Sequence, residues 1–217
     1  MSSRILVGSF VIGAIYTNFY YLHREDSKEC IVFDPADLGD QIYEELTGKQ
    51  GLSIQAILLT HAHFDHIGGV AALKERCRAN VYASELEKRL CASSELNHSA
   101  LHGRPCTVKP DVWLRDGEEL TLAGITLRVL STPGHTEGSC CYYIEDAGES
   151  AHPILISGDT LFAQSYGRTD LPTGSESAIQ RSIRDKLLVL PDDTDVYPGH
   201  EQTTTIAFEK KYNPLAY

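Results

Sequence analysis

The stretch Thr60-His61-Ala62-His63-Phe64-Asp65-His66 constrains this chain more than any other. Three imidazoles and one carboxylate lie together, directly after the apolar run 54–59. Such a run reads as a buried strand. A loop leaving a strand end can aim alternate side chains into one cavity. His61 and His63 can then converge on one cation, and Asp65 and His66 can reach a second beside it. Imidazole and carboxylate donors suit zinc, with iron and manganese as competitors. The fold must therefore bring a buried strand's end to the rim of a cavity.

Three later segments share this construction. Residues 129–135 end in His135, 155–159 in Asp159 and 196–200 in His200. Each is a short apolar run, a turn residue and one candidate ligand. A lone histidine is usually packed or solvated. Four strand ends of one design point to convergence on a shared centre.

The remaining pattern supplies strands and helices in alternation. Residues 4–12, 16–23 and 29–33 read as β-rich runs. A helix is predicted over 37–46, with Leu38, Ile42 and Leu46 four apart, and another over 67–77. The second half predicts strands at 112–114, 118–122, 125–130, 140–145, 154–156 and 195–197. Asp116-Gly117 is expected to form a hairpin turn. Ser175 is the expected N-cap of a helix carrying Ile179, Ile183 and Leu187, and a last helix is predicted over 203–211. The reading is α/β: two β-sheets packed face to face with helices outside. No repeat or linker divides the chain, so residues 1–217 are expected to form one domain. Tyr142 and Tyr143 alternate on a strand, so one should face the core and the other the opposite side.

Charge narrows the partners. Lys and Arg number 19 against 30 Asp and Glu, a net charge of −11. That argues against a nucleic-acid footprint and against an anionic membrane surface. Residues 5–16 are nearly all apolar, but a bilayer span needs about 20. No small-residue cleavage site follows them. They are expected to be two buried strands meeting near Gly8 and Gly13. Six cysteines without a C-x-x-C spacing read as reduced thiols, hence a cytoplasmic setting.

The order H-x-H-x-D-H, then His135, Asp159 and His200, resembles that of the metallo-β-lactamase-fold hydrolases. The match runs from Thr17-Asn18 to Asn213-Pro214. Within that superfamily, residues 132–138, 158–162, Gly167-Arg168-Thr169-Asp170 and 199–201 are similar to the single-domain branch near glyoxalase II (hydroxyacylglutathione hydrolase). The resemblance implies an αββα sandwich with a two-metal site at one edge. It implies that His61, His63 and His135 hold the first divalent cation, Asp65, His66 and His200 the second, and that Asp159 bridges both. Zinc is the expected metal, with iron or manganese possible. Asp65 is also assigned the catalytic carboxylate. A hydroxide shared by two cations attacks a carbonyl, since metal binding lowers the pKa of water to about 7. Thiols leave readily because their pKa lies near 8.5. The implied partner is a small acyl-thiol substrate.

Arg168 matches a basic position that binds the thiol carrier in that family, so it is the expected substrate-binding residue, with a salt bridge to Asp170 as the competing reading. Asp170 stands where the family has a tyrosine. The helical region by which glyoxalase II holds glutathione is not expected after His200. An alternative is an iron-dependent persulfide dioxygenase on the same fold, using a 2-His-1-carboxylate set from these ligands. The polar segment 91–111 is long for a connector and is expected to form a lid. His98 and His102 within it, and His23 and His152 elsewhere, are not expected to bind metal. Asn97-His98-Ser99 matches a glycosylation sequon but is expected to have no role.

Overall fold

Strands covered on both faces need apolar residues at successive positions, and such runs build the first sheet. The computed structural model describes residues 3–216. It begins with β1 (Ile5–Ile12), β2 (Thr17–Arg24), β3 (Glu29–Phe33), β4 (Ser53–Leu58), β5 (Asn80–Ser84) and β6 (Val112–Leu114). These six strands lie side by side in chain order. The first three are antiparallel, and β3 to β6 run parallel. Parallel neighbours require crossovers. Helices α1 (Gly39–Tyr43), α2 (Phe64–Ile67), α3 (Val70–Cys77) and α4 (Lys88–Ala92) lie in those connections.

The second half continues with β7 (Glu119–Leu122), β8 (Ile125–Ser131), β9 (Cys140–Ile144) and β10 (Ile154–Gly158). A small hairpin follows, β11 (Leu161–Phe162) and β12 (Ser165–Tyr166), then α5 (Glu176–Arg181), β13 (Asp195–Pro198), β14 (Thr204–Thr205) and α6 (Ile206–Tyr212). The second sheet has the order β14-β13-β10-β9-β8-β7.

Side-chain alternation sorts the core into three layers. Tyr20, Ile31, Phe33, Leu58, Tyr142 and Ile156 meet between the sheets. Val32, Ile57, Leu46 and Leu73 pack between the first sheet and its helices. Tyr143, Leu155, Ile183 and Val196 do the same behind the second. Helix, sheet, sheet and helix are thus stacked as an αββα sandwich. Tyr142 and Tyr143 do face opposite ways, yet both are buried, because each face of β9 is covered.

Several expected boundaries moved for local reasons. The apolar stretch 5–16 is one strand and a turn, not two buried strands. Val11 is 65% exposed, and the turn falls at Gly13–Tyr16. Gly8 lies inside β1, where a Cβ would collide with the Tyr21 ring. The helix expected over 67–77 breaks at Gly68-Gly69, because the chain there passes the Ala36 and Asp37 carbonyls too closely for a side chain. Asp116-Gly117 is not a hairpin turn. It carries the chain from β6 in one sheet to β7 in the other, and the hairpin turn is Ala123-Gly124 between β7 and β8. Ser175 does occupy the N-cap of α5, but its hydroxyl caps no helix N–H. Thr205 caps α6, its Oγ1 accepting from the Phe208 N–H. Among the described residues all six cysteines are free, and no helix is long and apolar enough to cross a membrane.

Candidate metal centre

The histidine-rich loop leaves the end of β4 and turns at once into α2. His63 is extended, at φ −63° and ψ 151°, and α2 begins with Phe64. The change of direction sends Asp65 and His66 to a different part of the cavity from His61 and His63. Asp34, at the end of β3, holds this corner. Its Oδ1 accepts from the Thr60 N–H at 2.8 Å and its Oδ2 from Thr60 Oγ1 at 2.6 Å. Oδ2 also lies 2.9 Å from His66 Nδ1. An imidazole bonded through Nδ1 is oriented to offer Nε2.

The other candidate ligands come from the second sheet. His135 follows β8, and its Nδ1 lies 2.8 Å from the Arg168 carbonyl oxygen. Asp159 follows β10 and His200 follows β13. Gly199 allows the last two strand ends to close up, since a Cβ there would come within 2.2 Å of Asp159 Oδ1.

All seven residues named from the sequence meet at one edge of the sandwich. His61, His63 and His135 offer ligand atoms within 4.8 Å of one another. So do His61, His66 and Asp159, and so do Asp65, His66 and His200. The Asp159 carboxylate lies between the groups. Oδ1 is 3.3 Å from His66 Nε2, and Oδ2 is 3.5 Å from His135 Nε2 and 3.4 Å from His200 Nε2. Buried polar atoms normally have partners. Here the Nε2 atoms of His61, His63 and His66 and the Oδ1 of Asp159 are buried without a well-formed hydrogen bond, the last two facing each other at 3.3 Å. Four orphaned donor atoms facing one small space fit divalent cations.

The electrostatics agree. Burial holds His61 well below the usual histidine value, helped by His66 and His135, and takes His63 down to about 3. Burial also lowers His135. These three rings are neutral, with the free lone pairs a cation needs. Burial works to raise Asp65 and Asp159, but neighbouring imidazoles overcome it and keep both carboxyls low, hence ionised. For His200, burial pulls the other way, yet hydrogen bonds to Asp159 and Asp65 lift it to about 9. The carboxylates thus create a strong demand for positive charge.

The centre opens on a cleft of about 530 Å³. Phe162, Tyr166, Leu171, His98 and His102 line it. The segment expected as a lid is a pinned wall. The Asn97 carbonyl accepts from the Phe64 N–H, and its side-chain amide donates to the Cys106 carbonyl. Asn97 is fully buried, which closes the glycosylation sequon. His102 stacks on Phe64 at 4.0 Å, and the His98 ring stands 5.8 Å from that of His63. Neither belongs to a donor group, and nor do His23 and His152. Arg168 lines the cleft mouth, but its guanidinium forms a two-bond fork with Asp170, both at 2.7 Å. Asp34 was not foreseen. Its only mark in the sequence is an aspartate ending an apolar strand before Pro35.

The metallo-β-lactamase superfamily model matches residues 12–200. The chain belongs to the metallo-β-lactamase superfamily. Among its superfamily relatives is a probable metallo-hydrolase, YqgX of Bacillus subtilis, 42% identical over 94% of each chain. A hydroxyacylglutathione hydrolase, GloC of Haemophilus influenzae, is 32% identical over 88% of this chain and 89% of its own. A solved structure, the BLEG-1 B3 metallo-β-lactamase, superposes with a TM-score of 0.88 at 41% identity, covering 96% and 98% of the two chains. Another, TTHA1623 in a di-iron-bound form, gives 0.79 at 33% identity and covers 95% and 98%. The metallo-β-lactamase fold accounts for the two mixed sheets flanked by helices.

Proposed function

We propose that this protein is a binuclear metallohydrolase that cleaves a small acyl-thiol ester, of the hydroxyacylglutathione type or a related one. The observation that carries the reading is the pair of adjoining donor groups that have the Asp159 carboxylate between them and open on one cleft. The hydroxyacylglutathione hydrolase among the relatives supports a thioester. The di-iron-bound neighbour supports two ions, with zinc, iron or manganese all suited to the donors. Free thiols throughout support a cytoplasmic setting, and the charge of −11 supports a small-molecule partner over nucleic acid or membrane.

His61, His63 and His135 would hold the first ion, Asp65, His66 and His200 the second, with Asp159 between them. Two bound divalent cations supply a water of lowered pKa and positive charge for the carbonyl oxygen under attack. Asp65 reaches the cleft with its carboxylate ionised and 13% of its side chain exposed. Its carboxylate would accept the proton of the attacking water. Phe162 and Tyr166 flank the scissile group and limit bulk water. The thiolate departs without a dedicated acid, because its pKa lies near 8.5.

Elemental analysis of protein purified without chelator is expected to approach two equivalents of zinc, iron and manganese combined. A panel of thioesters, lactams and persulfides is expected to show turnover on thioesters. One tightly held iron with oxygen consumption on persulfides would overturn this reading in favour of a dioxygenase.

Arg168 reads an anionic carrier only by exchanging Asp170 for it. The pair is exposed, 62% and 67%, so its strength is modest. Arg168→Ala is expected to raise KM for an anionic thioester by up to about fivefold, with kcat unchanged. Asp170→Asn is expected to lower the same KM. A neutral thioester should be unaffected by either, and equal effects on both substrates would reject the role.

A further inference from the structure

Three imidazoles drawn from two sheets share no common backbone. Something must set the spacing between the loop of His61 and His63 and the loop of His135. Glu87 lies between them, 1% exposed, in the short turn Glu85–Glu87 that precedes α4. Its Oε1 accepts from the Ala62 N–H at 2.9 Å. Its Oε2 accepts from Thr136 Oγ1 at 3.1 Å. The Gly138 N–H is a third donor.

The geometry at both ends is specific. Ala62 stands between His61 and His63, and Thr136 directly follows His135. Thr136 Oγ1 also lies 2.7 Å from Ser139 Oγ, which in turn accepts from the Thr136 N–H at 3.1 Å. Gly138 lets the loop close, since a Cβ there would come within 2.3 Å of Glu87 Oε2. Burial lifts the Glu87 carboxyl to about 7, although its three donors pull it back. A carboxyl placed where water cannot reach it needs those partners.

We propose that Glu87 is a positioning residue that ties the two ligand loops together and thereby sets the first cation site. This rests on the reading of the centre as a metal site. The bonds go to groups beside the ligands, so Glu87 governs where the rings stand without touching an ion.

The test is a zinc titration of metal-free protein against a chromophoric chelator, comparing wild type with Glu87→Gln. Glutamine keeps the side chain's shape, so a role in packing alone is preserved. Its NH2 group, however, faces donors where an acceptor is needed. The binding step lost in His135→Ala identifies the first site. That step is expected to weaken by about ten- to a hundredfold in Glu87→Gln, as for other outer partners of metal ligands, with the second step unchanged. Thr136→Val removes one of the three bonds at constant volume. It is expected to shift the same step in the same direction, and serves if Glu87→Gln does not fold. An unchanged first step, or an equal loss at both steps, overturns the role of Glu87. A wild-type chain that takes up no zinc overturns the metal reading beneath it.

Discussion

Asp159→Ala is expected to weaken binding at both proposed cation sites and to lower the proposed thioester hydrolysis by a thousandfold or more. Among the described residues Asp159 is the one carboxylate within 3.5 Å of candidate ligand atoms from both groups, reaching His66, His135 and His200. Its loss would remove a donor from each ion of the proposed pair and leave three imidazoles without the anion that faces them. Metal binding moves the pKa of water from 15.7 to about 7, so a reaction deprived of it loses many powers of ten in available nucleophile, and a thousandfold is a lower bound. Asp65→Ala should instead empty mainly the second site, since Asp65 groups only with His66 and His200. The measurement is kcat/KM together with elemental analysis, with far-UV circular dichroism to show a retained fold. Wild-type turnover and metal content in Asp159→Ala would remove it from the site.

Asp34→Ala is expected to be the most destabilising single change in the loop region, by about 3–5 kcal/mol. Asp34 is 2% exposed and serves three partners: the Thr60 N–H, the Thr60 hydroxyl and His66 Nδ1. Alanine would leave the Thr60 N–H and His66 Nδ1 unpaired at a buried position, and the Thr60 hydroxyl with His61 Nδ1 alone, at 3.1 Å. Leaving each of these two buried groups unpaired costs about 1–3 kcal/mol, which agrees with the loss of a buried ion pair. For a chain of this size the melting temperature should fall by roughly 10 °C or more. Differential scanning calorimetry on metal-free protein tests this without help from bound ions. A shift of under about 2 °C would show that solvent reaches the corner and replaces the carboxylate.

The seven candidate ligands were legible because they fall at the ends of apolar strands, where backbone direction dictates side-chain direction. The layering was legible too, since unbroken apolar runs such as residues 54–59 imply cover on both faces. Asp34 and Glu87 were not. Each acts through bonds to the backbone of a distant loop, and no spacing rule links Glu87 to Ala62 or to Thr136. The break at Gly68-Gly69 was hidden for the same reason, being set by the carbonyls of Ala36 and Asp37. The Arg168 assignment came from resemblance, and the fork with Asp170 two residues on shows the nearer partner. Residues 80–84 passed unread as a strand because Asn80 and Ser84 dilute its apolar pattern.

The separate origin of the candidate ligands has a consequence for descent and for engineering. Four of them are carried by one rigid corner, and the other three each end a different strand. Chain length between those strands is therefore a free variable. The β11–β12 hairpin and the wall 93–111 border the cleft without supplying a ligand. Insertions there would leave the frame of candidate ligands where it stands, because strand ends and not loop lengths fix it. One reactive centre could thus be fitted to new substrates by exchanging its surroundings, with the frame inherited unaltered.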